Sequence, residues 1–421
     1  MYLKPDDCFP ARHWWLIMMM PKNLSLIIAF IRSGRGSDLV SGDAGDDTIN
    51  AGQGHILSKA GHDVTLFEQA PQIRPLGAGF LLQPAGQQVL SRLGLLEAAT
   101  KDAAKIDHLF AQHRSGKPLV RLKYETLDAN LFAFGVHRGD VFSALLESCI
   151  NSGVKLIEGC RITSFEQDAD SVHLKSDSDD VTQCDILIAA DGSRSSLRQC
   201  SGLQTRSHEY DYAAMWHVGP FNGQSNRLWQ IVEGTTRLVG VLPIGKNRCS
   251  FFWGLKQNQY PTICDEGLER WKQTVVQFVP EAEQILSELT SLDEVTFATY
   301  RDVRMRSPIC GRVVFVGDSV HAISPHLGQG VNLALADAEC LANAILSQRD
   351  YASAFETYHR QRKSTWRFYS QITNLLTPFF QSDSQLRGFG RNLALPLMPQ
   401  LPYVGKQMIK AMAGLKTGWI G

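Results

Sequence analysis

Two stretches of the 421-residue sequence carry the residue types that hold a polar ligand at the end of a buried strand. "DILIAADGSRSSLR" (Asp185–Arg198) and "VVFVGDSVHAISPHLGQGVNLALADA" (Val313–Ala338) each run an apolar segment into an Asp–Gly or Gly–Asp pair and then into a loop. In the second, Gly328 and Gly330 precede a helix that begins near Val331. First-turn amides have no intrahelical partner, so they point at whatever docks there, an anion or a carbonyl-rich ring. Asp318 stands at the strand's carboxyl end, where it can hold sugar or polyol hydroxyls. A third stretch, "DVTLFEQA", closes a strand with Glu68. In a nucleotide-binding βαβ unit, a carboxylate there accepts hydrogen bonds from a ribose diol. Each residue also has a plainer reading. Asp191 and Asp318 suit helix N-caps, Gly328 and Gly330 suit a helix-entry turn, and His321 suits a loop histidine with a backbone partner. Arg138 opens the helical stretch "RGDVFSALLESCINSG", where a cation opposes the helix dipole, and this favours a ligand role for it. No residue stands out as a catalytic acid, base or nucleophile, and none of these residues is assigned to a metal.

These residues need a scaffold of buried strands and helices, and the chain's patterning supplies one. Strand-like and helical segments alternate over the first 200 residues. "PAGQQVLSRLGLLEAAT" has apolar residues at helical spacing, and "CDILIAADG" is a continuous apolar run of buried-strand type. From about Leu203 to Tyr300 the texture changes to strand-like runs such as "RLWQIVEG" and "RCSFFWGL", broken by Gly, Asn and Pro, which predict a mostly antiparallel sheet. After Tyr351 the chain is helical, and the tail "YVGKQMIKAMAGLKTG" reads as a short amphipathic helix packed on the core.

The expected organisation is an N-terminal extension at 1–22 and a first, discontinuous unit at 23–202 with an insert at 31–54. A sheet unit at 203–300, the return of the first unit at 301–350 and a helical region at 351–421 follow. "MPKNLSLIIA" makes a natural start, which sets the preceding residues outside the fold. Lys+Arg and Asp+Glu both number 42, so the charge balance gives no pointer to nucleic acid. The longest apolar runs fall short of the roughly 20 residues of a membrane helix, so no stable span is expected. The nine cysteines are scattered without a CxxC pair and read as buried thiols of a cytoplasmic protein. Nothing in the sequence speaks to oligomeric state.

Taken together, the motifs resemble the flavoprotein aromatic hydroxylases, the single-component FAD-dependent monooxygenases with the p-hydroxybenzoate hydroxylase fold. "ADGSRSSLR" matches the family's central motif at Asp191, Gly192, Ser195 and Arg198. "GDSVHAISPHLGQGVN" matches its C-terminal motif at Gly317, Asp318, His321, Pro325, Gly328, Gly330 and Asn332. "GAGFLLQPAGQQVLSRLGL" and "HRGDVFSALL" match as well, and Arg138 fits the family's flavin-contacting arginine. The resemblance covers roughly Leu24 to Gly421. It implies an α/β fold: a Rossmann-like FAD-binding domain, an inserted mostly antiparallel β-sheet substrate domain and a helical C-terminal region. It implies FAD as cofactor, NAD(P)H and O2 as co-substrates and a small aromatic substrate to be hydroxylated. The cofactor-binding set is then Glu68, Arg138, Asp191, Gly192, Asp318, Pro325, Gly328, Gly330 and Asn332, with His321 a loop residue near the flavin. There is no separate NAD(P)H motif, as is usual for the family. Substrate is expected near Trp216, His217, Trp229, Phe252 and Trp253. Leu81 stands where the salicylate and 6-hydroxynicotinate hydroxylases carry a histidine base.

One stretch departs from the pattern. Where the family's GxGxxG should follow Ile28, "GRGSDLVSGDAGDDTINAGQG" (Gly34–Gly54) repeats Gly36, Gly45 and Gly54 every nine residues, with Asp38 and Asp47 in step. This is similar to a calcium-binding nonapeptide repeat, of which about two turns are present where at least three are usual. Three readings stand: a loop whose amides still reach the pyrophosphate, an inactive flavoprotein-like scaffold with an impaired site, or a calcium-responsive loop. Asp38, Asp43, Asp46 and Asp47 would repel a diphosphate, so the loop is expected to project outward, with weak FAD binding.

Overall fold

The computed structural model describes residues 28–31, 38–41, 57–58, 61–72 and 78–419. The extension read at 1–22 and most of the glycine-rich repeat lie outside them. One seven-stranded sheet runs in the order Ile309–Cys310, Val313–Phe315, Ile186–Ala189, Ile28–Ile31, Asp38–Ser41, Val64–Phe67, Lys155–Ile157. Ile186–Ala189 pairs parallel with Val313–Phe315, and Val64–Phe67 pairs parallel with Lys155–Ile157. Val64–Phe67, Ile186–Ala189 and Val313–Phe315 are buried from end to end, which explains their apolar sequence. The Gly330–Ser347 helix contributes Leu335 and Leu341 to the same core, and the 30-residue Tyr351–Phe380 helix contributes Phe355, Tyr358 and Trp366.

The strand Ile28–Ile31 departs from the expected βαβ entry. It runs antiparallel to Ile186–Ala189, to Asp38–Ser41 and to Val64–Phe67. A parallel return needs a crossover of a dozen or more residues, and only positions 32–37 separate this strand from Asp38–Ser41. Asp38–Ser41 in turn pairs parallel with Val64–Phe67. The expectation of a wholly outward-projecting loop is therefore corrected, because the repeat's first turn supplies a strand to the sheet. Positions 42–56 lie outside the described residues.

The second large sheet also has seven strands: Thr296–Met305, Thr205–Pro220, Arg248–Lys256, Arg237–Gly245, Arg227–Glu233, His108–His113 and Pro118–Lys123. Only the Arg227–Glu233 and His108–His113 pairing is parallel, in keeping with the mostly antiparallel expectation. Residues 108–123 join this sheet from well before Leu203. On one face Trp253, Phe251 and Val239 pack against Trp271 and Val275 of the Leu268–Phe278 helix. The other face turns towards a three-stranded sheet of Gly79–Leu82, Ala133–His137 and Ala104–Ile106. Gly135 stands at that crossing, where a Cβ would lie 1.9 Å from the Pro243 carbonyl oxygen. Only glycine permits so close an approach.

The C-terminal region completes the fold. The Pro402–Met412 helix packs through Ile409 and Met412, as its amphipathic pattern predicts. Of the eight cysteines described, Cys149, Cys184 and Cys249 are buried, whereas Cys200 and Cys264 are exposed, so the reading of buried thiols holds only in part. No described helix is long and apolar enough to cross a membrane.

Candidate active site

A cavity of about 550 Å³ lies between the Gly317–Asn332 segment, the second large sheet and the C-terminal helices. Its first wall is built by backbone. The buried strand Val313–Phe315 ends at Gly317, and Asp318, which lines the cavity, begins a short helix there. Pro325, Gly328 and Gly330 line the cavity too. Gly192 and Gly328 have φ of 72° and 59°, a left-handed region that a side chain would strain. The Gly330–Ser347 helix has no side-chain cap at its N-terminus, so its first amides are left for a ligand.

The side chains behind this wall hold the loops in place. The Asn332 Oδ1 accepts the Gln83 amide at 2.9 Å, and its Nδ2 donates to the carbonyls of Leu81 (3.2 Å) and Gly328 (3.0 Å). This one side chain ties the Gly79–Leu82 strand to the glycine turn. Asp191 is buried, accepting the Ser195 hydroxyl and, at 2.9 Å, the Leu197 amide. Arg198, also buried, donates to the Ser319 carbonyl (2.7 Å) and to the Gly192 and Ser193 carbonyls, stitching the two motif loops together.

Asp337 sits at the centre of a buried network behind the same wall. It accepts from Arg362 Nε (2.6 Å), Trp366 Nε1 (2.9 Å) and the Gly317 amide (3.3 Å), and it contacts the His321 ring. Burial alone would raise its pKa. Attraction to His321 and Arg362, with the hydrogen bonds from His321 and Trp366, outweighs that and holds the carboxyl below its ordinary value. His321 stacks on Trp366, and its ring turns towards Asp337 and is not part of the cavity lining.

The predicted set is thus brought together in part. Arg138, Asp318, Pro325, Gly328 and Gly330 meet at the cavity. Gly192, Asp191 and Asn332 stand behind it. Glu68 lies apart at the end of Val64–Phe67, buried, with its carboxylate accepting the Ala70 amide at 2.6 Å. Arg138 opens the Arg138–Asn151 helix, which His137 caps by accepting the Gly139 amide at 3.1 Å.

The facing wall is mostly apolar, with Gln230, Thr296 and Arg301 among its polar members. Trp216 and Phe252, with ring centroids 4.8 Å apart, line the cavity with Leu228 and Leu242. Alternation along the strands sends His217 and Trp253 to the opposite face, and Trp229 packs there as well. Those three expected substrate contacts are therefore corrected. Met408, Met412 and Tyr403 close the cavity from the C-terminal side.

Two features had escaped the sequence reading. Asp337 carried one signal, an acid inside an apolar helical run, which demands partners if it is buried. His326 carried none. It lines the cavity, and its Nδ1 lies 3.0 Å from the Ser324 hydroxyl and 3.4 Å from that of Thr377. Its buried Nε2 has no partner among the described residues. Burial pushes the ring's pKa down to about 4, so it is neutral at physiological pH.

This donor set fits a flavin. Uncapped helix amides suit a carbonyl-bearing ring edge, Asp318 suits polyol hydroxyls, and the apolar wall suits a second planar molecule. A model of the FAD binding domain matches residues 51–369. Over 338 residues the chain is 26% identical to the 6-hydroxynicotinate 3-monooxygenase of Bordetella bronchiseptica, spanning 73% of this chain and 83% of that protein. It is also 26% identical over 335 residues to an FAD-dependent urate hydroxylase of Klebsiella pneumoniae, spanning 75% and 84%. A crystal structure of a Klebsiella pneumoniae HpxO variant complexed with FAD shares the fold. The TM-score is 0.71 at 20% identity, over 84% of this chain and 92% of that chain.

Proposed function

The chain belongs to the FAD-dependent monooxygenases of the aromatic hydroxylase family, and from that premise we propose that it uses NAD(P)H and O2 to hydroxylate an apolar aromatic or heteroaromatic ring compound. The observation that carries this reading is the two-sided cavity. One side offers backbone donors at Gly328–Gly330 and a carboxylate at Asp318, and the other offers Trp216, Phe252, Leu228 and Leu242. Both relatives are named for enzymes of nitrogen-containing rings, which favours a heteroaromatic substrate.

Bound FAD supplies the redox chemistry, taking up reducing equivalents from NAD(P)H and delivering one oxygen atom of O2. The chain's own residues bind, orient and exclude water. The Gly328–Gly330 amides would hold the ring's carbonyl groups, at a helix end whose dipole favours negative charge. Asp318 holds the ribityl hydroxyls, and Pro325 packs beside them. Arg138 reaches the ring from the Arg138–Asn151 helix. Asn332, Asp191 and Gly192 set the loops from behind, and Glu68 serves the ribose diol at the adenosine end. The apolar residues Trp216, Phe252, Leu228 and Leu242 would bind the substrate ring and exclude water from it. Leu81 provides no base, whereas His326 Nε2 is the hydrogen-bonding group that meets the substrate's polar edge.

Two variants test this assignment. Asp318→Ala lowers FAD affinity by about 1–3 kcal/mol, the cost of leaving buried polar partners unpaired. Arg138→Ala slows flavin reduction by NAD(P)H in stopped flow while the protein stays folded. Flavin retained by Asp318→Ala through a desalting column as well as by the parent overturns the first role, and unchanged reduction rates overturn the second. Absence of visible flavin bands after reconstitution of the parent with FAD overturns the whole reading.

A further inference from the structure

The Gln385–Ala394 helix is turned inside out. Its one deep contact is a cation: Arg391 is buried and donates to the carbonyls of Gly234 (2.8 Å) and Phe379 (2.9 Å). Gly388 packs beside it against Thr235. The outward face carries Leu386, Phe389 and Leu393, at positions i, i+3 and i+7, exposed by 80%, 69% and 64%. At 100° per residue these three fall within one narrow stripe. Just past the helix, Leu397, Leu401 and Tyr403 are exposed as well. A contiguous apolar surface of this kind marks an interaction site.

Charge identifies what covers it. From Ser384 to Gly421 the chain has five basic residues, Arg387, Arg391, Lys406, Lys410 and Lys416, and no acidic one, although the whole chain is balanced at 42 of each sign. Arg387 and Lys406 are exposed beside the stripe and Lys410 is half-buried. A second copy docked across a two-fold axis would bring these cations against their own images, which opposes association. An anionic bilayer meets both requirements, with acyl chains for the leucines and headgroups for the cations. We propose that this face seats the enzyme on an anionic membrane surface, lying in the interface without spanning it. The location of the cavity agrees: Tyr403 and Met398 belong both to the exposed apolar surface and to the cavity lining. An apolar ring compound dissolved in the bilayer would therefore enter at the docked face. That delivery rests on the function proposed above; the docking itself does not.

The test uses the full-length, FAD-reconstituted protein and co-sedimentation with vesicles of phosphatidylcholine alone or mixed with phosphatidylglycerol. The protein pellets with the anionic vesicles and is released by salt. The triple variant Leu386→Ser, Phe389→Ser, Leu393→Ser lowers the partition at least about tenfold, and so does the double variant Arg387→Glu, Lys406→Glu. Both keep the parent's flavin content, since none of these residues lines the cavity; the charge variant decides the matter if the triple variant fails to fold. No pelleting with either vesicle type overturns the proposal, as does pelleting of both variants at the parent's level. A concentration-dependent dimer in sedimentation velocity, abolished by the triple variant while vesicles bind nothing, assigns the face to a second copy instead. Vesicle binding without ring-compound turnover leaves the docking standing and refutes only the delivery.

Discussion

On the wall formed by Asp191–Arg198 and Gly317–Asn332, the polar side chains that mark the motifs mostly turn away from the cavity and hold backbone. Asn332, Asp191, Arg198 and Asp337 accept or donate behind the loops, and the cavity is lined on this side by Gly328, Gly330 and Pro325, with Asp318, Ser324 and His326 among the polar side chains that reach it. On the facing wall Trp216, Phe252, Leu228 and Leu242 line the cavity with their own side chains. The difference teaches that the cofactor side is specified by conformation and the substrate side by shape. Conformation demands particular residue types at fixed spacing, because few residues allow positive φ or satisfy several buried amides at once. Shape can be supplied by many combinations of apolar residues of similar volume.

The largest test of this contrast is Asp337→Ala. It strips the partner from Arg362, Trp366, His321 and the Gly317 amide inside a buried site. Breaking a buried charged pair from one side costs about 3–5 kcal/mol, so denaturant unfolding shows a loss of that size, and FAD retention falls with it. A loss below about 1 kcal/mol, within the range of ordinary surface changes, would show that the cofactor wall does not depend on its backing.

A smaller effect is expected at His326, where the two walls meet. Its folded-state pKa of about 4 lies below the unfolded value of roughly 6.5. The unfolded chain therefore binds more protons, and the neutral ring's contribution to stability is fully present above about pH 6.5 and lost as pH falls towards 4. The parent protein loses roughly 2–3 kcal/mol over that window that a His326→Gln variant does not lose. Urea titrations at several pH values measure the difference. Parallel pH profiles for the two proteins would place the ring in contact with solvent and remove it as the neutral group facing substrate.

These results also explain what was legible in the sequence. The motif wall could be read because Asp318, Pro325, Gly328, Gly330 and Asn332 fall within one short stretch of chain, where the left-handed Gly328 and the helix start at Gly330 leave a local signature. The antiparallel entry of Ile28–Ile31 could not be read from its apolar pattern, which is the same in either direction. It follows instead from the six-residue spacing to Asp38–Ser41. His217, Trp229 and Trp253 were misplaced because an aromatic in an apolar strand does not announce which face it occupies until the register of Thr205–Pro220 against Arg248–Lys256 is known. His326 gave no signal, since its importance lies in a buried Nε2 that only the packed cavity creates. The outward stripe of the Gln385–Ala394 helix was hidden by the opposite effect: its apolar spacing matches that of a core-facing helix, and only the burial of Arg391 shows which way it faces.

The smallest effect belongs to the apolar wall. Trp216 packs against Phe252 with the two rings tilted by 60°. Trp216→Phe keeps an aromatic ring and removes part of its area, so the stability change is held to about 1.5 kcal/mol or less, the range of shape changes that a core can repack around. The cofactor wall, held by its own network, keeps its FAD. The cavity, however, widens on the substrate side, and apolar pockets discriminate by about tenfold for each methylene-sized change in fit. Relative kcat/KM across a panel of hydroxylated benzenes and nitrogen heterocycles should therefore shift about tenfold towards larger rings, with flavin content unchanged. Loss of flavin with an unchanged substrate ranking would show that the apolar wall serves the cofactor, and the division of labour between the two walls would fail.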